Sequence, residues 1–244
     1  MDAKQKIEKG NNIKLGSEKV REREIKIKVI QISLLIMLML LFVLYFLLKI
    51  IYEAGNFTVT LDENFSQKSG IVMYENSKDK EEKRQLAAEQ AKFIDNISVD
   101  WLPENINEIG EGSHNGENYL AYTFYVANQG SSPIHYWYEI AIDDVIKNVD
   151  KAIRVMVFEN GEKTIYAKPN ETTGNSEKGT SSFRSDTQVV LKQRKDFKPG
   201  DEDKYTIVVF LEGDDPDCTD ALIGGEIKMH MDITEEHIMR DNNV

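Results

Sequence analysis

One cysteine, Cys218, is all the chain carries among 244 residues. A lone cysteine excludes an internal disulfide framework, so sheet or helix packing must hold the fold together. It behaves as a small, buried apolar residue, and an odd cysteine in an exported protein also permits an intermolecular disulfide. No repeat of 20–50 residues is visible, which excludes a solenoid array. No G-x-S-x-G elbow, Walker loop or dinucleotide fingerprint is present, which removes the common hydrolase, phosphate-loop and nicotinamide chemistries. The four histidines are His114, His135, His230 and His237. None stands in H-E-x-x-H and no two are four apart on a helix, so they read as surface histidines. A zinc site from His135 and His230, both in predicted strands, would need further ligands that the pattern does not place. Asp217 and Asp220 beside Cys218 would raise a thiol pKa, which argues against a cysteine nucleophile.

Charge is missing altogether from residues 29–48, VIQISLLIMLMLLFVLYFLL. Twenty uncharged positions at 1.5 Å each match a hydrocarbon core of roughly 30 Å, so this segment predicts one transmembrane helix. Nine cations and five acids precede it in residues 1–28, a net of +4. The positive-inside rule then puts the N-terminal tail in the cytoplasm and the rest outside. Removing that tail and Lys49 from the whole-chain net of −12 leaves −17 on residues 50–244. So acidic a body is a poor ligand for nucleic acid or for an anionic membrane surface. A cleaved signal peptide is the rival reading of the segment. A signal h-region is shorter, about 7–15 residues, and wants a small-x-small cleavage site. Tyr52 occupies the position three before a cut after Ala54, and Lys49 follows the apolar run directly, so the segment reads as a retained signal-anchor. The expected organisation is a cytoplasmic basic tail over 1–28, an anchor over 29–51, an extracytoplasmic domain over 52–236 and a tail over 237–244. The tail of alternating charge reads as mobile or frayed helix near the membrane, its basic residues setting topology.

Beyond the anchor the pattern is β. Residues 57–61 (FTVTL) alternate, with 70–74 (GIVMY) as their expected partner and a polar turn over 62–67 between them. Residues 78–95 lack Gly and Pro and are rich in helix formers. Leu86, Phe93 and Ile97 recur there at roughly helical spacing, which predicts an inserted surface helix. Residues 97–102 form a short segment ending before Pro103, and 105–118 a Gly- and acid-rich loop. Residues 119–128 and 134–142 alternate around the turn QGSSP, as a hairpin would. In the second of these Ile134, Tyr136, Tyr138, Ile140 and Ile142 share a face. Residues 152–159 and 163–168 flank Asn160-Gly161, a strong hairpin turn signal. Residues 169–186 are polar and rich in Gly and Ser, the composition of a loop. Residues 187–192 resume the sheet, and 205–211 (YTIVVFL) form the most apolar and therefore central strand. Residues 224–233 close the domain with Ile227, Met229, Met231 and Ile233 inward. About nine or ten short strands with turns between them predict an all-β domain, an antiparallel β-sandwich of jelly-roll or Ig-like type.

One loop concentrates chemistry. Glu212, Asp214, Asp215, Asp217 and Asp220 place five carboxylates within nine residues. Hard cations take that many oxygens, which makes these five a candidate Ca²⁺ site. The loop lacks the D-x-D-x-D-G spacing of an EF-hand, and Asp and Pro are ordinary turn residues, so a solvated acidic turn is the competing reading. Lys228 and Arg240 are the cations that the C-terminal strand and tail could bring to it. No other cofactor is indicated.

The stretch FLEGDDPDCTDALIGGEIKM at 210–229 resembles the closing strand pair of camelysin and TasA-like surface β-sandwich proteins of Gram-positive bacteria. FYVANQG at 124–130, FENGE at 158–162 and FKPGDEDKYTIVV at 197–209 fit the same pattern, and the resemblance covers residues 119–234. It implies a jelly-roll or Ig-like sandwich at the cell surface, in biofilm-matrix or adhesion work. Camelysin-like proteins are also described as metallopeptidases, but no zinc-peptidase motif is present here to receive that role. The retained anchor and the 78–95 segment depart from the pattern. Together these features predict a single-pass, membrane-anchored surface protein without enzymatic activity. Its body would contact extracellular proteins or copies of itself, and its link to the lipid bilayer runs through 29–48. The alternatives are a metal-dependent surface peptidase and, if the N-terminal segment is cleaved, a secreted fibre-forming matrix subunit.

Overall fold

The computed structural model describes residues 3–52, 57–91 and 94–235. The chain divides into two units, Met1–Glu53 and Ala54–Val244. The first is one helix, α1 (Ala3–Tyr52), which continues through the segment expected to be frayed. Its stretch Arg23–Leu47 is 25 residues long and apolar enough to cross a membrane. Every large apolar side chain from Val29 to Leu47 is exposed, between 48% and 66%. A polyleucine-like surface of that kind is unstable in water and stable in lipid.

The second unit is built mainly of strands. A five-stranded sheet runs in the order β11 (Gln188–Phe197), β7 (Ile134–Ile146), β13 (Glu226–Thr234), β1 (Phe57–Leu61), β3 (Gln85–Ala87). The larger sheet runs β10 (Ser181–Ser182), β9 (Glu162–Ala167), β8 (Ile153–Glu159), β12 (Glu202–Glu212), β6 (Tyr119–Asn128), β2 (Ile71–Tyr74). The short β4 (Asn96–Ile97) and β5 (Gly112–Ser113) attach to β12 and β6. Phe57, Val59, Tyr136, Ile140 and Met231 of the first sheet share one buried cluster with Tyr122, Phe124, Val155 and Ile207 of the second. A smaller cluster lies on the other face of the eight-stranded sheet. There Leu102 and Ile106 cover Ala121, Met156, Val208 and Phe210.

The sheets are mixed where antiparallel pairing was expected. β1 runs parallel to β13, β4 to β12 and β10 to β9. The central position of β12 is as predicted, since it lies between β6 and β8. The alternation of β13 is also as predicted, with Met231 and Ile233 fully buried. The β8–β9 hairpin turns on Asn160 at φ +52° and Gly161 at φ +88°, both in the left-handed region that a two-residue I′ turn requires.

Three local expectations fail. The described residues of 78–95 form no inserted helix. Lys83 N–H donates to the Met73 carbonyl at 2.8 Å, Arg84 O accepts from Leu61 N–H at 2.9 Å, and Ala88 N–H donates to the Phe57 carbonyl at 2.9 Å. β3 pairs with β1 between them. The free backbone edges of β1 and β2 bind this segment as a strap, and Leu86 and Ala88 enter the core at two-residue spacing. Intrinsic helix preference amounts to tenths of a kcal/mol per residue and yields to that pairing. Phe93, the middle of the predicted stripe, lies outside the described residues.

The second failure is the 119–128 and 134–142 hairpin: β6 and β7 belong to different sheets. The crossing is organised by Asn128, 1% exposed. Its Nδ2 donates to the carbonyls of Ser132 and Phe197, and its Oδ1 accepts from Gly130 N–H at 2.9 Å. Third, β1 and β2 do not pair, and the polar stretch between them is a short helix, α2 (Glu63–Ser69). Asp62 Oδ1 caps it by accepting from Phe65 N–H at 2.7 Å. Gly70 ends it at φ +69°, where a Cβ would lie 2.7 Å from Gly130 Cα.

Candidate functional site

The acidic loop leaves the end of β12, and its five carboxylates go to separate places. Asp215 meets Arg154 of β8, Nη2 to Oδ2 at 2.5 Å, with the two side chains 0% and 5% exposed. Asp215 Oδ1 also accepts from Asp217 N–H at 2.8 Å. Glu212 turns back to accept from the backbone N–H groups of Val99 (3.1 Å) and Asp214 (3.2 Å). Asp214 accepts from Ser98 Oγ at 2.9 Å and Asp217 from Glu171 N–H at 3.3 Å. Asp220 is exposed at the start of a 3₁₀ turn, Asp220–Leu222. Among the described residues no three His, Cys, Asp or Glu side chains gather to hold a metal ion. The cation that enters the loop on Asp215 is Arg154; Arg240 and the 237–244 tail lie outside the described residues. Cys218 accepts weakly from Asn96 Nδ2 at 3.7 Å. Burial pushes its thiol up, against the Asn96 contact, and Asp215 and Glu212 push it further. This is the environment of a structural cysteine rather than a nucleophile.

A second polar centre is buried between the sheets. Asp203 of β12, 1% exposed, accepts from Tyr136 Oη of β7 at 2.6 Å, Arg194 Nε of β11 at 2.9 Å and Asn160 Nδ2 at 2.8 Å. Tyr136 Oη also meets Tyr205 Oη at 2.8 Å. Burial holds both phenols well above their ordinary value, so both stay protonated. Three donors on one carboxylate satisfy a charge that would otherwise be very costly there.

The third centre lies where the strap meets β2 and β6. Tyr74 donates to Glu202, Tyr122 to Glu75 and Tyr125 to Glu111. Lys80 reaches Glu202 at 2.6 Å and Lys83 reaches Glu75 at 3.2 Å. Ser77 Oγ donates to Glu111 at 2.5 Å. Burial raises the Glu202 pKa, but the contacts from Lys80 and Tyr74 outweigh it and leave the group below its ordinary value. Ser77 likewise lowers Glu111. Tyr125 is pushed up to about 12, first by burial. Each of these carboxylates is committed to a donor of its own fold. Glu202 and Glu111, both lowered, are not held as protonated acids for general acid–base work.

The three described histidines have separate partners. His114 contacts Thr123 through Nε2 at 2.9 Å, and burial lowers its pKa. His135 Nδ1 accepts from Asp196 N–H at 2.9 Å. His230 lies 2.7 Å from Asp143 and 3.5 Å from Asp232, and His237 is outside the described residues. The sequence reading missed Arg154 and Asp203. Each carries a signal: a charged side chain inside an otherwise apolar strand (AIRVMVFE, DKYTIVVF) has to be paired if it is buried.

No family model matches the chain, and no curated protein matches it. Among solved structures, the crystal structure of a β-glucosidase from Kluyveromyces marxianus in complex with glucose is similar at 11% identity and a TM-score of 0.24. The match covers 69% of this chain and 15% of that one, so the chain spans about a seventh of that enzyme's length.

Proposed function

We propose that the chain is a single-pass membrane protein whose N-terminal tail is cytoplasmic and whose second unit is an extracytoplasmic β-sandwich making structural or adhesive protein contacts. The observation that carries this reading is the charge-free exposed stretch of α1, with nine cations before it and an acidic body after it. The core shared by two sheets supports the sandwich. Carboxylates already committed to Arg154, Arg194, Lys80 and Lys83 support a binding body over a catalytic one. The resemblance to camelysin and TasA-like surface proteins is in keeping with contact of matrix type.

Intact cells carrying an N-terminal and a C-terminal epitope test both parts. A membrane-impermeant protease is expected to remove the C-terminal epitope and spare the N-terminal one; the reverse pattern sinks the orientation. An impermeant lysine cross-linker should give high-mass adducts with the full chain and none when residues 57–235 are deleted. Adducts identical with and without the body would sink the contact role.

A further inference from the structure

Resting on the membrane-span reading of α1, we infer that one end of the second unit docks on the bilayer surface itself. The contact is made by Ile223 and Ile146, and the fitting partner is a zwitterionic phospholipid surface. Strand directions place the contact. β1 and β13 run parallel, with Phe57 opposite Met229, so the end where β1 starts is also the end where β13 starts. β7 runs the other way and finishes there, with Ile146 opposite Glu226. Whatever angle the two units adopt, five peptide steps from Tyr52 to Phe57 span at most about 18 Å. The loops at that end are therefore tethered within reach of the headgroups.

Those loops carry exposed apolar side chains. Among the described residues, the second unit exposes four large apolar side chains: Trp101 at 75%, Ile109 at 52%, Ile146 at 42% and Ile223 at 68%. Ile223 and Ile146 both sit at the tethered end. Ile223 lies in the uncharged run ALIGG at 221–225, where Ala221 and Gly224 are also exposed. The run is held in place. Leu222 is buried, Gly225 N–H donates to the Leu222 carbonyl at 2.8 Å, and Lys147 Nζ donates to the Ile223 carbonyl. A Cβ at Gly225 would come within 3.0 Å of the Ile146 carbonyl, so the two isoleucine-bearing turns touch. Trp101 follows two residues after Val99, whose N–H donates to Glu212 where β12 ends, at the same end of the unit. An exposed tryptophan and two isoleucines suit the headgroup boundary, where apolar tips enter and indoles settle.

Charge selects the lipid. Asp144, Asp214, Asp220 and Glu226 lie at this end and outnumber its cations Lys147, Lys151 and Lys228. An anionic leaflet would repel this rim, whereas a zwitterionic one accepts it. Of the neighbouring acids, Asp215 is buried on Arg154, while Asp214 and Asp217 are held to Ser98 Oγ and the Glu171 N–H at the surface.

The lone cysteine makes the test direct. In a Cys218→Ser background, with Cys218→Ala as the second choice if near-UV circular dichroism shows a disturbed fold, single cysteines replace Ile223, Phe42 and Lys163 and receive a nitroxide. The full chain is reconstituted in phosphatidylcholine vesicles, and oxygen accessibility is compared with that of a water-soluble nickel complex. The oxygen-to-nickel ratio at 223 is expected to exceed that at 163, beside the far β8–β9 turn, several-fold, with position 42 highest. A ratio at 223 equal to that at 163, with 42 still shielded from nickel, overturns the docking and leaves the span intact. A ratio at 42 equal to that at 163 overturns the span and the docking with it. Shielding of 223 in phosphatidylglycerol vesicles alone overturns the apolar contact in favour of Lys147 charge.

Discussion

Asp215 and Arg154 show why a run of acids is not by itself a site. Both side chains are fully or nearly buried, and each is the other's counter-charge. Removing one strands the other, which costs about 3–5 kcal/mol, whereas exchanging both for apolar residues of similar volume is often neutral. Asp215→Ala is therefore expected to lower the urea midpoint of the full chain in detergent strongly, and Arg154→Leu with Asp215→Leu to recover most of the loss. Equal midpoints for Asp215→Ala and the parent would mean that the pair is open to water. His230 carries a pH dependence of definite sign. The Asp232 contact, with Asp143 adding to it, raises its pKa above the ordinary 6.5 against the effect of burial. A raised folded-state value stabilises the fold fully below about pH 6.5, and that stability is lost as pH climbs through the raised value. The melting temperature should fall as pH rises from 6.5, and His230→Gln should flatten that fall; an unchanged slope in the variant would assign it to another group.

Strands of four residues or more were legible in sequence, the edge strands β2 and β11 among them, and the short marginal pieces β3, β5 and β10 were not. β12 announces itself because both its faces are buried, so seven consecutive residues are apolar or nearly so. Ile207 is 0% exposed, and Ile207→Ala is expected to cost about 2–4 kcal/mol, read from chemical unfolding. A loss too small to measure would place β12 at an edge. The 78–91 strap was illegible for the opposite reason. Its composition favours helix, and what overrides it is the row of unpaired groups on β1 and β2, residues at other places in the chain. Register across sheets is hidden in the same way: the turn QGSSP looks like a hairpin loop, and only Asn128, reaching Ser132 and Phe197 at once, makes it a crossing between layers. The candidate site follows this rule. Five carboxylates are visible in sequence, but where each one turns depends on Ser98, Val99, Arg154 and Glu171, which come from distant segments.

At the scale of the whole molecule, a body built mainly of strands follows an apolar helix, and composition alone separates them: the charge-free run ends, and turn residues begin. The acidic balance of the body disfavours nucleic acid and anionic lipid, and the orientation test and the lipid-depth test both bear on that balance. The parallel pairing of β1 with β13 has a mechanical consequence. Their register runs unbroken over five residue pairs, from Phe57 beside Met229 to Leu61 beside Ile233. Tension applied between the chain before Phe57 and the C-terminal end of β13 drags these strands past one another in opposite directions. All the bonds of the pair are then loaded together in shear, instead of peeling one at a time as in an antiparallel hairpin pulled from its open end. Under load such a body holds its grip until the whole seam yields at once.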